Sequence, residues 1–189
     1  MISKVFQEQY LIEYCAPTLA SLKMANLFRY VCAKEQDPEI MVKCWNEVFE
    51  DKGLGFKYFH RSDGSALIYV YRKSGLAAKL RNVNVQRFLR KYGYCDFDID
   101  QALDRLSGRL SASSEFPHEI GIFLGYPLGD VIGFIENNGK HCKCIGSWKV
   151  YCNENEAERD FRRFRKCKDV YQKLWTEGTR SVIQLTVAG

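Results

Sequence analysis

Residues 141–152 read HCKCIGSWKVYC, placing His141, Cys142, Cys144 and Cys152 within twelve positions. Thiolates beside an imidazole suit zinc, ferrous iron or an iron-sulfur cluster, and Lys140 and Lys143 are expected to favour the thiolate form. Zinc sites use C-x₂₋₄-C pairs, so a C-x-C pair needs further ligands from elsewhere. In one continuous strand, at about 3.3 Å per residue, Cys144 and Cys152 would stand roughly 26 Å apart unless the chain reversed at Gly146. Three readings therefore stand together: a metal or cluster site, a redox-active thiol at Cys142 or Cys144, and cysteines packed as small hydrophobes.

A second constellation is FPHEIGIFLGYPLGDVIGF, residues 116–134. His118 beside Glu119 supplies acid-base or metal-binding types, although adjacent residues of a strand point to opposite faces. The turn at Tyr126 feeds a helix whose first N–H groups suit an anion, so His118, Glu119 and Tyr126 are candidate ligand contacts. The full G-x-x-x-x-G-K-[ST] pattern is missing, which argues against nucleotide hydrolysis. Packing alone also accounts for these residues, with Pro117 starting a segment and the glycines permitting close approach.

Near the N-terminus, CAPTLASLKMANLF holds Cys15, Thr18, Lys23 and Asn26. A Cys two residues before Pro is a haem-ligand type, and Lys23 with Asn26 suits a carboxylate or phosphate; a loop with a capping Thr and a packed Cys is the alternative. On the C-terminal segment, a 100° rotation per residue gathers Ala157, Phe161, Phe164, Tyr171 and Trp175 on one face. Arg159, Arg162, Arg163 and Lys166 fall outside that stripe, as a solvated face or a surface for an acidic protein or RNA. Lys168 is placed on the aromatic face, with its ammonium snorkelling.

These residues need elements to hold them. QDPEIMVKCWNEVFEDKG carries Asp37 as N-cap, Pro38 at the first turn, Ile40, Met41, Cys44, Trp45 and Val48 at helical spacing, and Gly53 beyond the end. Two β-rich runs around Asp63-Gly64, with Phe56, Tyr58, Leu67, Tyr69 and Tyr71 in period two, predict a hairpin over about 55–72. Val85, Phe88, Leu89 and Tyr92, then Ile99, Ala102, Leu103, Leu106 and Leu110, predict two amphipathic helices. Further helices are expected over about 129–138 and 154–177, and a strand over about 147–152. The sum is an α+β fold: a small, mostly antiparallel sheet covered by amphipathic helices, with a long C-terminal helix, read as a single domain over 1–189.

Composition sets the outer bounds. A net charge of +5 over 189 residues is mild and names no partner by itself; nucleic acid is the less favoured one because the aromatics of the C-terminal segment lie on its buried side and offer no stacking platform. No apolar run approaches the roughly 18 residues of a membrane span. Glu8 and Glu13 interrupt the N-terminal apolar run, against a secretory signal, so the expected location is cytoplasmic and the eight cysteines are expected to be reduced. No complete catalytic constellation accompanies His60, His118 and His141.

The stretches CAPTLASLKMANLF, ALIYVYR (66–72) and FPHEIGIFLGYPLGDVIGFIENNGKHCKCIGSWKVY (116–151) resemble an uncharacterised, domain-of-unknown-function family of similarly sized cytoplasmic proteins from anaerobic bacteria. Genes of that family often lie beside flavodoxin-type genes. The resemblance implies an anaerobe and leans toward redox or iron metabolism. With the residues above, the expectation is a redox-associated protein that binds a small anionic ligand, cofactor or metal through residues 116–144 and Cys15, the basic helix being available to a flavodoxin-like acidic partner. It names no cofactor. The alternative is a non-catalytic interaction protein that binds through the basic C-terminal helix.

Overall fold

Asp37 starts a helix as its sequence demands: extended itself, it accepts the Glu39 N–H at 2.8 Å, and Pro38 occupies the first turn, where a missing N–H costs nothing. This is one element of a computed structural model that describes residues 4–30, 37–61, 65–112 and 116–189. In chain order the elements are α1 (Lys4–Leu19), β1 (Ala25–Tyr30), α2 (Pro38–Val48), β2 (Leu54–His60), β3 (Ala66–Arg72), α3 (Lys73–Arg81), α4 (Val83–Arg90) and α5 (Ile99–Ala112). They continue with α6 (Ile120–Phe123), α7 (Leu128–Glu136), β4 (Cys144–Ile145), β5 (Lys149–Val150), α8 (Glu154–Thr176) and α9 (Val182–Leu185). The α+β class holds. The chain packs as two compact units, one running up to Gly75 and resuming at Lys166–Gly189, the other spanning Leu76–Arg165.

The first unit is built on an antiparallel sheet of order β1-β3-β2. Phe56 pairs with Val70 and Tyr58 with Ile68, so these two share a face with Ile68 and Val70 rather than with Tyr69 and Tyr71. As the central strand, β3 is buried along its whole length, which hides any alternation. The Asp63-Gly64 turn lies outside the described residues. A core of Leu11, Ile12, Leu19, Trp45, Phe56 and Ile68, with further apolar residues of these elements, binds sheet to helices. On α2 the buried stripe is Met41, Val42 and Trp45; Ile40, Cys44 and Val48, expected there, are exposed. Gly53 follows not α2 but a one-turn 3-10 helix at Glu50–Lys52, which it ends with a left-handed φ of 67°.

The segment expected to be a loop around Cys15 is instead α1, with Pro17 in its last turn, followed by β1. Arg72, 4% exposed, ties the unit together. Its guanidinium donates to the carbonyls of Thr18 (2.7 Å), Lys52 (3.0 Å), Val187 (2.7 Å) and Leu19. These acceptors come from three distant chain segments.

In the second unit, α4 buries Val85, Phe88 and Leu89, and α5 buries Ala102, Leu103, Leu106 and Leu110, as the periodicity requires. The strand expected at 147–152 is shorter and separate: β5 pairs only with β4, in a two-stranded hairpin outside the main sheet. On α8, Ala157, Phe161, Phe164 and Cys167 are buried while Tyr171 and Trp175 are half-buried. Lys168 is exposed, because Cys167 takes the inward position assigned to it. Among the described residues no helix is long and apolar enough to cross a membrane.

Candidate functional site

Helix α7 opens in LGDVIGFIE, where Gly129 and Gly133 stand one turn apart on one face. That bare face lets the hairpin lie close. A Cβ on Gly133 would meet the Tyr151 side chain at 2.6 Å, and one on Gly129 would strike the Cys152 sulfur. Between the two glycines Asp130, 2% exposed, fixes the hairpin. Its Oδ1 accepts the Tyr151 and Cys152 N–H groups, each at 2.8 Å, and its Oδ2 accepts the Trp148 indole N–H at 2.8 Å. A buried carboxylate with three donors is well satisfied, and here it aims the Trp148 ring. Tyr126 stacks on that ring with centroids 5.0 Å apart and donates its hydroxyl to the Ser147 carbonyl at 3.1 Å. Phe161 closes the other edge at 4.6 Å.

This scaffold encloses a cavity of about 440 Å³. Its floor comes from Ile120, Gly121 and Leu124 on and after α6, and its sides from Val131 and Phe134 of α7 and from Trp148. Tyr126, Asp130, the exposed Phe116 and His118, the buried Pro117 and the half-buried Lys149 complete the lining. His118 is exposed and meets the Phe134 ring edge-on at 5.1 Å, while Lys149 stands 5.7 Å from the same ring with Nζ donating to the Gly139 carbonyl at 2.8 Å. An aromatic box with a histidine and a lysine at its edge is the form small-ligand sites commonly take. Burial pushes the Tyr126 phenol up to about 12, so at neutral pH it remains a neutral donor. Lys79 donates to the Tyr126 carbonyl at 2.8 Å, and burial lowers its pKa.

His118 and Glu119 do not act as a pair. Glu119 is fully buried and ion-paired with Arg109, with a second bond from Arg109 Nη2 at 3.4 Å and a weak one from the Tyr94 hydroxyl at 3.4 Å. That hydrogen bond to Glu119 raises the Arg109 pKa, and burial raises that of Tyr94. Glu119 is committed to a structural pair, whereas His118 faces the cavity.

The thiol-rich stretch does reverse at Gly146, whose N–H bonds the Trp148 carbonyl at 3.0 Å. His141 is exposed with φ 58°, Cys142 and Cys144 are half-buried, and Cys152 is exposed. The reversal brings Cys144 not to a histidine or another cysteine ligand but to α8: a Cys144, Glu154 and Glu158 ligand atom all lie within 4.8 Å of one another. At Cys144 and Cys152 the expected lowering by nearby lysines is outweighed. Partial burial and then Glu154 and Glu158 push Cys144 up; burial and Asp130 push Cys152 up, with Lys143 only a partial offset.

At the N-terminus, Cys15 is fully buried on α1, its thiol pushed far up by desolvation, which removes it as an open haem ligand. Thr18 lies inside α1, fully buried, and donates to Asn26 Oδ1 at 2.7 Å instead of capping a loop. Burial lowers Lys23 to about 8. On α8, Arg159, Arg162, Arg163 and Lys166 are exposed, but Glu158 pairs with Arg162 at 3.7 Å and Asp160 with Arg163 at 3.3 Å.

Residues 11–186 match the family described as a protein of unknown function, DUF3793. The chain belongs to this family. No curated protein and no solved structure matches it. The family match covers every wall of the cavity, but its description names no activity, so the chemistry rests on the geometry. Sequence reasoning singled out His118 and Tyr126 and missed Phe134, Trp148, Lys149 and Asp130. The available signal was the Gly129–Gly133 spacing upstream of an aromatic hairpin.

Proposed function

We propose that this chain is a small-molecule-binding protein whose ligand seats a flat, apolar body against Phe134 and Trp148. The observation that carries the reading is the cavity itself, whose volume falls in the range typical of ligand sites. The Trp148 indole N–H is already taken by Asp130, so that wall offers a ring face rather than a competing donor. His118 and Lys149 at the edge favour an anionic substituent, in keeping with the small anionic ligand expected for residues 116–144. The test is calorimetric titration of 1-naphthol, a flat apolar probe, into the full chain and into Leu124→Trp, which fills the cavity from its wall. Saturable one-site binding lost in the variant is the expected result; no binding, or binding indifferent to Leu124→Trp, sinks the proposal.

A second reading rests on a separate observation, the convergence of Cys144, Glu154 and Glu158. One thiolate and two carboxylates make a mixed sulfur-oxygen set for a divalent transition ion, with a place left for a fourth ligand. The redox or metal association implied for this stretch rests on that set rather than on a Cys142–Cys144 dithiol. Cobalt(II) titration reads it directly: a thiolate-to-cobalt charge-transfer band that disappears in Cys144→Ser supports it, and a spectrum without the band defeats it. For the exposed basic residues of α8, an acidic, flavodoxin-like protein remains the proposed partner ahead of RNA; binding to either must weaken steeply with salt.

A further inference from the structure

A second cavity, of about 370 Å³, opens beside the first and shares three of its lining residues, Phe116, Pro117 and His118. Its other walls differ in kind: Tyr92, Arg105, Gly108 and Arg109 contribute, with Glu119 and Ile135 behind them. Arg109 is held by Glu119 through Nε and Nη2, a bidentate pair that fixes the plane of its guanidinium. Arg105 donates Nη2 to the Tyr92 carbonyl at 3.0 Å, and no carboxylate pairs with it among the described residues. Two guanidinium groups thus stand against one carboxylate in the lining, leaving the cavity a net positive charge. Tyr92 adds a ring face 5.3 Å from the Arg109 guanidinium, which further restrains that group.

We infer that the two cavities form one bipartite site, for a flat apolar ring system bearing a dianionic phosphate group, with His118 at the junction. This rests on the apolar cavity being a ligand site, as proposed above, and adds the chemical class of ligand. The ring takes the aromatic box, and the phosphate reaches past His118 to Arg105 and the outer edge of Arg109. Planar guanidinium forks match phosphate oxygens, and a dianion fits two cationic groups, one of them half-neutralised, better than a single negative charge does. Lys149 stays on the ring side, engaged with Gly139 and Phe134.

The experiment compares 1-naphthyl phosphate, 1-naphthoate and 1-naphthol by calorimetry on the full chain and on Arg105→Ala. Arg105 is exposed, so its removal leaves the core intact, whereas replacing Arg109 would strand Glu119 and is avoided. The phosphate should bind about tenfold more tightly than the naphthol, with the naphthoate between them, and Arg105→Ala should reduce the phosphate-to-naphthol ratio below about threefold. Equal affinities for phosphate and naphthol overturn the bipartite site while leaving the apolar pocket standing. A phosphate advantage that survives Arg105→Ala also overturns it, because the anion then sits elsewhere. If none of the three probes binds, both readings fall together.

Discussion

Arg72 in the first unit and Asp130 in the second are both buried ionisable groups without an ionic partner among the described residues, and the two units use them oppositely. Arg72 spends its N–H groups on carbonyls of α1, of the turn after α2 and of the C-terminal tail, so that a cation closes a dense core. Asp130 accepts two backbone N–H groups and one indole, so that an anion holds open a wall of a cavity. A buried charge is costly unless hydrogen bonds replace water, and in both places they do. The difference lies in what is held: chain segments in one case, an aromatic side chain in the other. On the proposed reading, that contrast assigns stability to the first unit and ligand binding to the second.

The largest test of the contrast is Arg72→Met, which keeps the apolar stem and removes every donor. Four carbonyls in or near the core lose their partner at once, and the expected loss is about 4 kcal/mol in denaturant unfolding. A loss below about 1 kcal/mol would show that water replaces the guanidinium and that Arg72 does not organise the unit.

The next effect is a pH dependence at Lys23. Its pKa falls from 10.5 to about 8 on folding because burial disfavours the ammonium. Between those values the unfolded chain holds a proton that the folded chain has released, so the Lys23 contribution makes stability rise with pH across that window. Cys15 opposes it above about pH 9, because its folded thiol stays protonated where the unfolded one ionises. Comparison with Lys23→Met isolates the lysine: the stability of the variant relative to the native chain should fall by about 3 kcal/mol from pH 7 to 10.5. A difference that stays flat would mean that Lys23 is hydrated in the fold.

How much of this was legible in the sequence differs between the units in a way that has physical causes. Asp37-Pro38, the β2–β3 runs and the stripes of α4 and α5 are local signals, and each produced its element. The α1–β1 segment was hidden because Pro17, which reads as a helix breaker, sits in the last helical turn, although Leu11, Ile12, Cys15, Ala16 and Leu19 recur at helical spacing and are all buried. The face error at Lys168 arose where 167 and 168 straddle one stripe, a choice that packing alone decides. The cavity was half visible: His118 and Tyr126 lie in a glycine-rich stretch that announces close packing. Trp148 and Lys149 arrive from a hairpin whose reversal depends on Gly146 and on the reach of Asp130, neither of which any periodicity encodes. Glu154 in the first turn of α8 and Glu158 one turn on give no sign of a site in the sequence, and only that reversal brings Cys144 beside them.

Asp130→Asn sharpens the functional side of the comparison. The amide keeps one acceptor but turns an NH₂ toward a donor, so the expected loss is about 2 kcal/mol, together with a change in the Trp148 emission and weaker binding of 1-naphthol. The same loss of stability with unaltered probe affinity would separate the hairpin tether from the cavity and break the assignment of Asp130 as a positioning residue.

The smallest expected effect has the opposite sign. Gly108 lies inside α5, exposed, with nothing within 4 Å of the place a Cβ would occupy, and no positive φ demands glycine there. Glycine in an exposed helix interior gives up backbone freedom on folding that alanine has already lost, so Gly108→Ala should stabilise the chain by about 0.5–1 kcal/mol. The position also lines the arginine cavity, where the new methyl group takes up ligand space. Unfolding and binding therefore move in opposite directions: higher stability, with 1-naphthyl phosphate weakened by about threefold and 1-naphthol affected less. A variant that gains stability and binds the phosphate unchanged would place the anion away from α5, because a methyl group on that wall cannot be neutral to a ligand lying against it.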